Sequence, residues 1–245
     1  MDNSGLRVAA HLEENLRWFV QTLDNWIGRD SYQMGGGTIL AARWHHRHST
    51  DIDLFYDPGT HGDVPLDGII QGFRSLERQG QIERLEVHPS RGFSCERAST
   101  PLSLFSTVQV APVRVSEQRE ASTGIGTETS AEILLKKIRA RMIRSPRYLP
   151  RDAYDLVIAH VEDPDAVDQV FRVLSLEEKR ILAYDAHRDG IQLTDADRIV
   201  SPAYPGLLDP LENLLRYVRV ALARNLTGDA VLELTRMRRE TRTRA

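Results

Sequence analysis

A mixed α/β fold followed by an all-helical half is predicted by three features of the sequence. A glycine-rich turn at 35–37 leads into a short helix and then into a strand that carries two aspartates. Between 81 and 110 apolar residues alternate along several short runs, as in strands with one buried face. From 151 onward the apolar spacing becomes helical and stays so. The expectation is a small mixed sheet with the aspartate strand central, then a helical domain, with the boundary between 1–149 and 150–245.

Each element has its own signal. Over residues 6–27, Leu12, Leu16, Phe19, Val20, Leu23 and Ile27 recur at helical spacing, with Trp18 and Trp26 flanking the stripe. Gly28 and the polar 29–33 segment end that helix, and a short strand at Tyr32–Met34 leads into the glycines. A helix starting at Thr38 follows. Residues 58–65 are rich in Pro, Gly and Asp and read as loop. Ile69, Ile70, Phe73 and Leu76 mark a helix over 66–79, stopped by Gly80. Strands follow at 81–88, 93–97 and 102–110, the last ending near Pro112. Residues 116–128 are polar and Gly-rich and read as loop.

Thr129 and Glu132 fit a capping box for a helix with Leu134, Leu135, Ile138 and Met142 on its apolar stripe. Lys137, Arg141 and Arg144 fall on one side of it, and Pro146 and Pro150 end it. Helices are then expected at 152–162, 165–174, 176–187, 207–224 and from Gly228 to the tail. Ser175 and Glu178 form a second capping box.

The chemistry concentrates at 35–55, GGGTILAARWHHRHSTDIDLF. Gly35, Gly36 and Gly37 let backbone N–H groups approach a phosphate closely. A helix N-terminus beginning at Thr38 adds donors to the same anion site. Asp51 and Asp53, two apart, face the same way on a strand. Two convergent carboxylates suit Mg²⁺, or Mn²⁺ in its place, because hard cations prefer oxygen ligands and substrate phosphates. Arg47 is the better phosphate candidate among its neighbours, since a guanidinium matches phosphate oxygens. His45, His46 and His48 lack the Cys partners of a closed zinc site. Ser49 is a substrate-side hydroxyl or a turn hydroxyl. A phosphate cradle beside metal carboxylates is what nucleotidyl transfer needs.

Gly36-Gly37-Thr38, twelve residues, then Asp51-Ile-Asp53-Leu-Phe55 resembles the opening motif of DNA polymerase β-type nucleotidyltransferases. Arg47-His-Ser49-Thr-Asp51 narrows the resemblance to the AbiEii/AbiGii toxin-type branch. A second block supports it: Lys137, then Arg151-Asp152-x-Tyr154-Asp155-Leu156. The resemblance implies a polymerase β-type core and an NTP substrate. It also implies Lys137 as a phosphate contact, with Arg141 in support, and Asp152 as an active-site carboxylate. By its position alone, Asp152 is equally a helix N-terminal acid favoured by the helix dipole. Such sites commonly take a third carboxylate from a neighbouring strand, yet 101–115 holds no acid. Gln109 or Ala111 stands in that place, or Glu83, Glu86 or Glu96 replaces it from elsewhere. Members of the family include toxins that add nucleotides to tRNA 3′ ends, so tRNA or another RNA is the implied acceptor, and a cognate antitoxin the implied partner.

Composition sets outer bounds. The 245 residues are 41% hydrophobic and 27% charged, as ordinary globular proteins are. No 18-residue apolar run predicts a membrane span, and the N-terminus lacks a secretory pattern. One cysteine, Cys95, excludes an internal disulfide and fits a reducing cytoplasm. The net charge of −3 is uninformative, but residues 136–151 carry seven Lys/Arg and no acid, a stripe that could meet RNA or triphosphate. The expected activity is metal-dependent transfer of an NMP to an acceptor hydroxyl. Transfer to a protein or to a small molecule such as an antibiotic, and a degenerate nucleotide- or partner-binding protein, are the alternatives.

Overall fold

The computed structural model describes residues 5–58, 65–107, 110–111, 115–144, 149–187, 199–208 and 212–225. The chain divides into two compact units, 1–129 and 130–245. The boundary expected at 149/150 falls inside the second.

In the first unit, β2 (Ile52–Tyr56) is the middle strand of a seven-stranded sheet. Its partners are β1 (Tyr32–Met34) and β5 (Thr100–Ser106). Beyond β5 lie β4 (Gly92–Arg97) and β3 (Glu83–His88). Beyond β1 lie β7 (Gly126–Glu128) and β6 (Val115–Arg119), giving the order β3-β4-β5-β2-β1-β7-β6. The β2–β5 and β1–β7 pairs are parallel and the other pairs antiparallel, so the sheet is mixed.

The register sorts the two faces. Phe93, Leu104, Leu54, Met34 and Thr127 form one row across five strands, and all are buried. Helix α1 (Ala10–Leu23) and helix α3 (Leu66–Arg78) supply its aromatic cover. Phe73 packs on Phe93 with ring centres 4.5 Å apart, and Phe19 meets Phe73 edge-on at 5.8 Å, geometry that adds to the burial of the rings. The next row along the strands, on the opposite face, is Ser94, Ser103 and Asp53. The alternation of strand side chains thus puts the core on one side and polar chemistry on the other.

Two expectations need correction here. The first helix is shorter than 6–27, because Leu6 is drawn into a bridge with Glu120. The loop expected at 116–128 instead contains β6 and β7. β6 is a polar edge strand and β7 only three residues long, so neither has an apolar alternation to read. Between them Glu120, 1% exposed, accepts hydrogen bonds from the amides and hydroxyls of Ser122 and Thr123. Val108, Gln109 and Pro112, with most of the 58–65 loop, lie outside the described residues.

The second unit is helical: α4 (Ser130–Lys137), a π-helical turn (Ile138–Ile143), α5 (Pro150–Glu162), α6 (Pro164–Val173), α7 (Leu176–His187) and α8 (Glu212–Asn225). Pro150 opens α5 rather than ending the helix before it, because a first-turn position needs no N–H. The capping box of α7 forms in both directions: Glu178 N–H donates to Ser175 Oγ at 3.1 Å, and Ser175 N–H to Glu178 Oε2 at 2.8 Å. Within the helix expected at 207–224 the described helix is Glu212–Asn225, with a 3-10 turn at Pro205–Leu207, and the one expected from Gly228 lies outside the described residues. No described helix is long and apolar enough to cross a membrane.

Candidate active site

Helix α2 (Gly36–Trp44) begins two residues before the position expected from Thr38. Its first turn is therefore built from the glycines themselves, with Gly36 at φ 69°. A side chain on any of the three would collide with a charged group: Glu128 at Gly35, Asp53 at Gly36 and Arg47 at Gly37. The glycines are needed because two carboxylates and a guanidinium lie directly on this backbone.

Asp51 immediately precedes β2 and Asp53 lies within it. Both are partly exposed, while Ile52 between them is fully buried. Each aspartate receives a serine hydroxyl on Oδ1: Ser49 Oγ at 2.9 Å on Asp51 and Ser103 Oγ at 2.6 Å on Asp53. Thr38, buried, sets its hydroxyl against the Asp51 carbonyl and 2.8 Å from Ser49 Oγ. This short relay fixes the 49–51 loop against the first turn of α2. The two hydroxyl donors fix the orientation of the carboxylates. Two oriented carboxylates fit a hard divalent cation, which prefers oxygen ligands.

The loop between α2 and β2 is held from several sides. Arg47 is buried and donates to the His48 carbonyl at 3.1 Å. His46 is fully buried against Trp44, ring centres 5.4 Å apart, and His45 ends α2 in the left-handed region. His11 of α1 stacks on His48 and lies 3.2 Å from the Ser49 carbonyl. Among the described residues, no three His, Cys, Asp or Glu side chains converge as a metal cage.

The second unit gathers Lys137, Arg141 and Asp152. Lys137 Nζ donates to Asp152 and lies 3.2 Å from Asp155. Arg141 Nη1 reaches both Asp152 oxygens, at 2.9 and 3.1 Å. Burial pushes the Asp152 carboxyl up, but the charges of Lys137 and Arg141 outweigh it and hold its pKa below the ordinary value. The π-helical turn, with Arg144 N–H donating to the Arg139 carbonyl at 3.2 Å, carries Arg141 to Asp152 and sends Arg139 to Glu178 at 2.7 Å. Lys136 pairs with buried Glu132 at 3.5 Å. Four of the basic residues in 136–151 are thus engaged in ion pairs rather than laid out as an open stripe.

The family model for the nucleotidyl transferase AbiEii toxin of type IV toxin–antitoxin systems matches residues 21–224. The chain belongs to this family. Its AbiEii-type membership makes it a nucleotidyltransferase, an enzyme that takes NTP as substrate. No curated protein matches its sequence. Among solved structures, similarity extends to the antibiotic-resistance factor ANT(2″)-Ia. That match has 15% identity over 65% of this chain and 89% of the other, with TM-score 0.45. A tRNA-processing enzyme matches at 12% identity over 74% and 53%, TM-score 0.40. CdnG, a CD-NTase of Bradyrhizobium diazoefficiens in complex with GTP, matches at 12% over 91% and 86%, TM-score 0.33. All three are too distant for their chemistry to be carried across.

In this AbiEii-family enzyme the expected residues fall into two groups. Gly35–Thr38, Arg47, Ser49, Asp51 and Asp53 meet in the first unit; Lys137, Arg141 and Asp152 meet in the second. Sequence reasoning missed Ser103, which stands directly opposite Asp53 on the parallel strand. An acid was sought along that strand, and a serine among alternating apolar residues reads as an ordinary outward position. Glu86 shares the row of Asp53, but β4 and β5 intervene, a separation of roughly 14 Å. Glu83 and Glu96 lie on the same distant strands. Ala111 is buried beyond β5.

Proposed function

We propose that the Asp51/Asp53 pair holds Mg²⁺, with Mn²⁺ able to replace it, and that the enzyme moves an NMP from an NTP to the 3′ hydroxyl of a tRNA. The observation that carries this reading is the pair itself: two carboxylates at the start of one strand, each pinned by a serine, beside a helix whose first turn is glycine. A bound divalent cation neutralises triphosphate charge and polarises the α-phosphorus. The first-turn N–H groups of α2 offer donors to phosphate oxygens. Thr38 and Ser49 act by holding Asp51, since their hydroxyls point into the relay. Arg47 braces the same turn and adds positive charge.

In the transfer the acceptor oxygen bonds to the α-phosphorus and the bond to pyrophosphate breaks in line. The acceptor proton passes to a site aspartate, and pyrophosphate leaves. Positioning and charge stabilisation carry the catalysis. Lys137 and Arg141 are the further phosphate-binding cations of this reading, and Asp152 keeps both oriented. The tRNA acceptor, a cognate antitoxin and a cytoplasmic setting follow from the family's toxin character.

The test is incubation of purified protein with each α-³²P-labelled NTP, Mg²⁺ and total bacterial RNA or cell extract, alongside Asp51→Ala and Lys137→Ala. A labelled tRNA-sized band that vanishes in both variants is expected. Label on protein or on a small molecule replaces the acceptor. No transfer with any NTP by folded, metal-supplied protein overturns the reading in favour of a nucleotide- or partner-binding member.

A further inference from the structure

Glu128 ends β7, in a segment with no sequence signal for a site, and its side chain is fully buried. The β1–β7 register pairs Gln33 with Gly126 and Met34 with Thr127, so one step further sets Glu128 beside Gly35. On the other side of β1, Gly35 N–H donates to the Asp53 carbonyl at 3.0 Å. Ser103, Asp53, Gly35 and Glu128 therefore form one row across four strands, with side chains on one face. Gly35 has none, and the Glu128 carboxylate occupies the space where its Cβ would be. Asp53 does the same at Gly36. Two carboxylates lean over adjoining glycines from opposite sides of the same short strand.

Arg43 holds Glu128 in this place from behind. Its Nη2 donates to the Glu128 carbonyl at 2.7 Å and to Thr127 Oγ1 at 3.1 Å, tying the end of β7 to α2. The positive end of the α2 dipole favours a carboxylate against its first turn.

We propose that Glu128 is a positioning residue of the cation site, acting on it through Gly35–Gly36 and through its charge rather than as a ligand. The side chain keeps the first turn in the conformation that presents Asp53, and its buried negative charge raises the affinity of the aspartate pair for a divalent cation. This rests on the Asp51/Asp53 cation reading above. A ligand role is not invoked, because the described residues show no three-carboxylate cage.

Direct Mn²⁺ binding, by electron paramagnetic resonance of the free ion or by calorimetry, tests this on the full chain without any activity readout. Glu128→Gln keeps the volume and drops the charge. Mn²⁺ affinity is expected to fall on the order of tenfold, the size of a screened charge–charge interaction across about two strand spacings. Gly35→Ala keeps every charge but displaces the carboxylate, and is expected to weaken binding as well. Asp53→Asn is the reference for loss of the site. If Asp53→Asn abolishes binding while Glu128→Gln binds as tightly as the wild type, Glu128 is packing only and the proposal fails alone. If the wild-type chain binds no Mn²⁺, or Asp53→Asn binds as the wild type does, the cation reading itself fails and takes the proposal with it.

Discussion

Replacing Asp152 by Asn removes one charge from a buried ion cluster in the helical unit. The carboxylate is 1% exposed and holds Lys137 and Arg141 together. Stranding a buried charge by deleting its partner costs about 3–5 kcal/mol. Here the stranding is partial. Lys137 keeps Asp155 at 3.2 Å, and the Arg141 side chain, 41% exposed, can turn to water. The expected loss is therefore about 2–3 kcal/mol, a fall in Tm of roughly 8–12 °C for a unit of this size. The pH dependence follows from the sign of the pKa shift. Asp152 titrates below its ordinary value in the fold despite the opposing effect of burial, because Lys137 and Arg141 outweigh it. Such a group stabilises fully above its unfolded pKa, about 3.9, and loses that contribution as pH falls through the folded value. The gap between wild type and Asp152→Asn should thus be constant from about pH 5 to pH 8 and close in stronger acid. Thermal unfolding by circular dichroism at several pH values measures it. A variant as stable as the wild type at neutral pH, or a gap that widens in acid, refutes the ion-cluster reasoning.

Gly36→Ala places a Cβ at φ 69° and against the Asp53 carboxylate. It should cost about 1–2 kcal/mol of stability from the backbone alone and at least tenfold in nucleotide transfer, measured by label incorporation; a variant with full activity refutes the close packing. Ser103→Ala removes the 2.6 Å hydrogen bond to Asp53. Bonds to charged groups are worth about 1.5–3 kcal/mol, so transfer should slow at least tenfold while Tm moves by only a few degrees. Cys95 is buried, and burial with the nearby Glu77 charge pushes its thiol up to about 12. It should stay unmodified by a thiol reagent at about pH 8 in the native protein and react fully in denaturant; fast native labelling would show that β4 opens.

How much of the site could be read beforehand depends on how far apart in the chain its parts lie. Gly35–Thr38 and Asp51–Asp53 fall within one short stretch, where residue type and spacing already specify a turn, a helix start and a strand. Ser103 and Glu128 reach the same face from 50 and 75 residues beyond Asp53, and only strand pairing brings them there. Their own neighbourhoods read as an ordinary strand and a loop. The basic segment shows the converse: its charge was plain, but the partners that neutralise it, Asp152 and Glu178, were assigned by helix packing and by a π-helical turn that no local pattern announces.

The sequence by itself determined the class of fold, the helix and strand periods, the two motif blocks and the family, because each depends on residues within a few turns of one another. The tertiary structure decided which strand lies beside which, and so which hydroxyl pins which carboxylate and which side chain each glycine must make room for. Those outcomes depend on sheet register, and register is set by the burial of the whole apolar row from Phe93 to Met34 rather than by any residue of the site itself.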